Sequence, residues 1–103
     1  MPSRIDALLG FIRATPQDPF PRYALAMEYK NGGRLDDART AFEALMASHP
    51  DYTAAYLHAG NTLIALGLRD EARAVYQRGV EACVRKGDAY ARGELEGALA
   101  SIS

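Results

Sequence analysis

The chain has 103 residues, 49% hydrophobic and 24% charged, the composition of one ordinary globular domain and not of a disordered segment. Twelve basic residues are interleaved with thirteen acidic ones for a net charge of −1, so the clustered cations that hold a nucleic-acid backbone are missing. No run approaches the roughly 20 apolar residues that cross a bilayer, and the lone Cys83 excludes an internal disulfide.

The start carries Asp6 inside its apolar stretch and has no basic-then-apolar leader, so the expected location is cytoplasmic. Ser3 is placed to cap a short helix running to about Ala14, with Ile5, Leu8, Leu9 and Ile12 at helical spacing and Phe11 to one side. Pro16 ends it, because the residue before a proline is pushed out of the α region. Asp18 followed by Pro19 then makes a good helix start, a carboxylate for the free amides and a preset φ. That second helix runs to about Lys30 and is stopped by Asn31-Gly32-Gly33.

Asp36 and Asp37 suit the positive end of a third helix, whose Leu35, Ala38, Phe42, Leu45 and Met46 share one face. After His49-Pro50, Asp51 is the expected cap of a fourth helix that Gly67 terminates. A longer fifth helix spans about Asp70 to Arg85, with Ala72, Val75, Tyr76, Val80 and Cys83 inward. Lys86-Gly87-Asp88 makes the last break, and a final helix aligns Ala91, Leu95, Leu99 and Ile102. Six helices with very short connections predict an all-α chain of antiparallel neighbours.

The decisive feature is an internal repeat. Gly33 to Phe42 reads G-R-L-D-D-A-R-T-A-F, and 34 residues later Gly67 to Tyr76 reads G-L-R-D-E-A-R-A-V-Y. Glycine, the acidic pair, Ala-Arg and an aromatic recur at one offset. Such a period marks a helical solenoid, in which each unit hides its apolar face only by stacking on its neighbours.

These residues resemble the tetratricopeptide repeat, with its pattern W-x2-L-G-x2-Y, then A-x3-F, then P. Leu25, Ala26, Tyr29, Ala38, Phe42 and Pro50 fill that pattern in the first full repeat. Tyr56, Ala59, Gly60, Leu63, Ala72 and Tyr76 do so in the second. Arg22 stands at the tryptophan position, and Val84 where the second closing proline belongs, so the fifth helix should run on a turn longer. The resemblance implies one domain over 1–103: a half repeat at about 3–14, repeats at 19–52 and 53–86, and a capping helix at 87–103.

The resemblance also implies a function. The first helix of each repeat would line a groove for a peptide segment of a protein partner. By register that groove offers Phe20, Tyr23, Met27, Lys30 and Asn31, then Ala54, Leu57, Asn61 and Ile64, with Asp88, Ala91 and Leu95 from the last helix. Phe20 and Tyr23 would be anchors, and Asn61 and Lys30 would fix register. Met27 and Leu57 lie on stripes that read first as core. The carboxylate-gripping set of some family members is not matched: Tyr23, Met27, His58 and Asp88 occupy its positions and only Arg92 fits.

The alternative reading is a self-assembling homodimer through the end faces, since Leu95, Leu99 and Ile102 stand where another repeat would dock. No enzyme is expected, because no nucleophile–base pair is visible, and no cofactor. His49 and His58 have no further ligand at metal spacing, and Cys83 reads as a small buried apolar residue. The charges of the fifth helix, Arg69, Arg73, Arg78 and Arg85 among Asp70, Glu71 and Glu81, read as a solvated ion-paired face.

Overall fold

A computed structural model describes residues 3–102. These form six α-helices and no strand: α1 (Arg4–Ala14), α2 (Pro19–Asn31), α3 (Leu35–Ser48), α4 (Ala54–Ala65), α5 (Arg69–Lys86) and α6 (Ala89–Ser101). Each helix packs on the next in sequence, and α2 and α6 also touch α4. The backbones of α1, α3 and α5 stay apart from one another, α3 and α5 meeting through the side chains of Arg39 and Glu71. The result is an all-α, two-layered solenoid, 44 × 29 × 19 Å, with α2, α4 and α6 in one layer.

The helix ends follow local chemistry. Ser3 and Asp6 form a reciprocal capping box at α1, and the Asp18 carboxylate accepts from the Phe20 amide, 3.0 Å away, at α2. Asp88 caps α6 by accepting from Ala91 N. The α2–α3, α4–α5 and α5–α6 turns are each made by one glycine with φ near +78, namely Gly33, Gly67 and Gly87. Without a proline at position 84, α5 extends to 18 residues against 14 for α3.

Asp51 does not cap α4. Thr53 holds that position without a side-chain cap bond, its hydroxyl donating instead to Asp88 at 2.6 Å. The Asp51 carboxylate pairs with Arg85 at 3.0 Å. Both groups are drawn to partners about one repeat away in sequence, which a local capping rule does not register. The ring of His49 ties α3 to the α1–α2 turn, its Nε2 donating to the Gln17 carbonyl over 2.9 Å.

The core is built by aromatics set against small residues. Phe42, Tyr56 and Tyr76 are almost fully buried, together with Leu45, Ala26, Ala38, Ala72 and Ala82. A Cβ on Gly60 would overlap the ring of Tyr76, and one on Gly79 would stand 2.5 Å from Cβ of Tyr56. Glycine at these two positions therefore sets how closely α4 and α5 approach. The buried phenols also find acceptors: Tyr56 donates to the Pro50 carbonyl and Tyr76 to Asn61 Oδ1. Burial raises the pKa of both above 10.0.

Candidate functional site

Helical spacing sorts each first-layer helix into faces. On α4, Ala59 and Leu63 border Phe42 and Met46 of α3, while Tyr56 and Gly60 meet α5. The remaining face presents Ala54, Leu57, His58, Asn61 and Ile64. Ala54, Asn61 and Ile64 are exposed; Leu57 and His58 are half-buried. The same face of α2 carries Phe20, Tyr23, Met27, Lys30 and Asn31. Phe20 is 62% exposed, whereas Tyr23 and Met27 are half-buried and pack on the core.

The last helix departs from the 34-residue register. The inward positions Ala55, Ala59 and Leu66 of α4 recur as Ala91, Leu95 and Ile102, 36 residues on. Leu95 is fully buried and Ala91 packs on the core, so Leu95 is not a groove residue. The cause is the long α5, after which α6 restarts following only Gly87 and Asp88. Asp88 is likewise occupied, accepting from Thr53 and Ala91, and the first of these bonds holds its carboxyl below 3.8. The open face of α6 instead carries Tyr90, which is 80% exposed, with Gly93 and Gly97.

Sequence reasoning missed Tyr90 because the shift is invisible without the packing. A signal was present in the two glycines. A Cβ on Gly93 or Gly97 would meet nothing within 4 Å, so neither glycine serves internal packing.

Across this face the polar groups sit at its centre. The ring of Tyr23 lies 5.4 Å from that of Tyr52 and 6.0 Å from that of His58. His58 Nδ1 is buried without a hydrogen-bond partner among the described residues. Burial first, and then the Lys30 ammonium, lower the His58 pKa, against an upward pull from Glu94. The imidazole is therefore neutral at neutral pH. Burial and the neighbouring Tyr52 raise the Tyr23 phenol. Asn61, exposed on this face, spends its oxygen on Tyr76, so its amide hydrogens are what it has left to offer. The surface thus offers aromatic and aliphatic anchors around a few neutral or cationic donors, with the Glu94 carboxylate beside them.

The other layer has a cleft of about 230 Å³ between α3 and α5, floored by Phe42, Met46, Leu63 and Val75. The Arg39–Glu71 ion pair at 2.8 Å crosses its rim. Cys83 is 1% exposed, and burial raises its thiol pKa. Among the described residues no group of His, Cys, Asp or Glu is arranged to hold a metal, and no helix is long and apolar enough to cross a membrane.

The family model of the tetratricopeptide repeat matches residues 23–88. The chain belongs to the tetratricopeptide repeat family. A tetratricopeptide repeat domain protein from Salinibacter ruber superposes with a TM-score of 0.78 at 34% identity, over 82% of this chain and 94% of that one. A protein from Bordetella parapertussis shares the fold at 24% identity, with a TM-score of 0.82 over 99% of this chain and 89% of that one. MamA matches at 30% identity and a TM-score of 0.75 over 81% of this chain, which spans about half of MamA (48%). Among curated proteins none matches. Tetratricopeptide repeats are in general protein–protein interaction modules and non-enzymatic scaffolds.

Proposed function

We propose that this chain is an adaptor that takes a peptide segment of a partner protein against the open face of α2, α4 and α6. The observation carrying this reading is one exposed large apolar side chain on each of the three helices: Phe20 (62%), Ile64 (37%) and Tyr90 (80%). Isolated exposed apolar residues are ordinary, but these three lie along one face, Phe20 and Tyr90 near the starts of α2 and α6 and Ile64 near the end of α4. Burying each one contributes about 1.5–3 kcal/mol, from which ordering of the peptide subtracts, so micromolar affinity is the expected range. Tyr23, Met27 and Leu57 supply the floor, while Lys30, Asn31 and the amide of Asn61 are donors for the peptide backbone.

The test is selection of peptides from a random library, followed by binding to the parent and to Phe20→Ala/Tyr90→Ala. Both side chains are exposed, so the double variant keeps its fold. A loss of tenfold or more supports the groove; undiminished binding ends this reading. Asn61→Ala is the poorer probe, because it strips the buried Tyr76 hydroxyl of its acceptor.

Of the three residues on which self-assembly through the C-terminal face would rest, Leu99 alone is only half-buried. Leu95 and Ile102 are covered, and the Ile102 carbonyl accepts from both Arg69 and Arg73. Arg92 and Glu96, 3.6 Å apart, make the outer side of α6 polar.

A further inference from the structure

Helix α1 packs only on α2, through Leu8 with Ile5, Leu9 and Ile12 half-buried. Its opposite side carries Ala7, Gly10, Phe11 and Ala14, and Phe11 is 59% exposed. The repeat explains why that exposure is out of place. Phe11 stands 34 residues before Leu45 and 68 before Gly79. Leu45 is fully buried, and at Gly79 a Cβ would strike Tyr56 on the helix that precedes α5. In α1 the corresponding seat has no occupant among the described residues, whose only contact with α1 is α2.

We propose that this seat is filled by α1 of a second copy, the two helices packing antiparallel about a two-fold axis. In an antiparallel pair of Arg4–Ala14 helices centred near Leu9, Phe11 of each copy lies over Ala7 of the other. Gly10, beside the crossing, has no Cβ to hold the backbones apart. The charges choose the direction. Asp6 and Arg13 are seven residues apart on one edge of the face, so antiparallel packing sets Asp6 of each copy opposite Arg13 of the other. Parallel packing would instead turn that edge toward the one carrying Arg4 and Phe11, leaving Arg13 with no acid opposite it. Arg13 has no ion pair among the described residues, while Arg4, on the other edge, is already paired with Glu28 at 3.0 Å.

An 11-residue helix is about 16 Å long, and one face of it buries well under the ~800 Å² per partner of a standard interface. The dimer is therefore weak and shows only at high concentration. It leaves the face of α2, α4 and α6 free, and stands or falls separately from the adaptor reading.

Sedimentation equilibrium from about 10 μM to about 1 mM covers the affinities so small an interface reaches. The expected weight-average mass of the parent climbs from 11.2 kDa toward twice that value. Phe11→Glu holds at the monomer mass with unchanged helix content. Asp6→Lys and Arg13→Glu each associate less than the parent, and an equimolar mixture of the two recovers association. In the mixture, two cations of one copy face two carboxylates of the other. A parent that stays monomeric throughout, a Phe11→Glu chain that still dimerises, or a mixture no heavier than its components would each overturn the proposal. Asp6→Lys also removes the bond to Ser3 N, so Arg13→Glu alone serves as the arm free of that loss.

Discussion

Gly79→Ala and Gly93→Ala are the same substitution in successive helices, and the packing gives them opposite signs. Glycine inside a helix costs about 1 kcal/mol relative to alanine, so each replacement begins with a gain of that order. At Gly79 the new Cβ would stand 2.5 Å from Cβ of Tyr56 and 2.8 Å from Cδ1 of Leu95. Leu95 can turn a methyl group away, but Tyr56 Cβ is one bond from its backbone, so α4 and α5 would have to part. Overpacking of that kind costs about 2–3 kcal/mol, leaving a net loss of about 1–2 kcal/mol. In a domain this size that is a fall in Tm on the order of 5–10 °C. At Gly93, and likewise at Gly97, nothing lies within 4 Å, and alanine should gain about 0.5–1 kcal/mol. Urea denaturation of the three variants at fixed m measures all of this. A Gly79→Ala protein as stable as its parent would refute the close approach of α4 and α5, and a destabilised Gly93→Ala would mean that the α6 face is covered.

Phe42 is 1% exposed, so Phe42→Ala should cost about 3–5 kcal/mol in the same assay; a loss under about 1 kcal/mol would remove it from the space between helix pairs. For His58 the folded state favours the neutral ring. As pH falls below 6.5 the unfolded chain takes up the proton first, and stability drops until the folded His58 titrates as well. His58→Gln should flatten Tm between about pH 7 and pH 5, and Lys30→Met should raise the His58 pKa seen by NMR. An unchanged slope in His58→Gln would contradict the burial argument. Asp88 has the opposite dependence on charge: its depressed pKa gives stability that is present above 3.8 and lost as pH falls through the lower folded value. Thr53→Val, which removes the largest cause of that depression, should raise the Asp88 pKa in a carboxyl titration.

The fold was legible because its information is local and periodic. Helix ends were marked by Ser3, Asp18-Pro19 and the glycines at 33, 67 and 87, and the 34-residue echo from Gly33 to Gly67 declared the stacking. The missing proline at Val84 even announced the length of α5. What stayed hidden depends on partners one repeat away. Asp51 looks like a cap until Arg85 is brought beside it, and Thr53, at the N-cap position, turns its hydroxyl to Asp88. The open face was half legible: Phe20 and Asn61 follow the 34-residue register on α2 and α4. α6 is rotated by the longer α5, and that exchanged Leu95 for Tyr90. Phe11 fell off the apolar stripe in the sequence, and only the buried Leu45 and Gly79 at equivalent positions give it meaning.

The central claim is that the open face of α2, α4 and α6 is the working surface. Amide chemical shifts of the labelled chain, titrated with a library-selected peptide, test it most directly. The largest shifts should fall at Phe20, Asn61, Ile64, Tyr90, Gly93 and Gly97, with α3 and the outer side of α5 quiet. Shifts concentrated on Arg39, Met46, Val75 and Arg78 would place the partner in the α3–α5 cleft and contradict it.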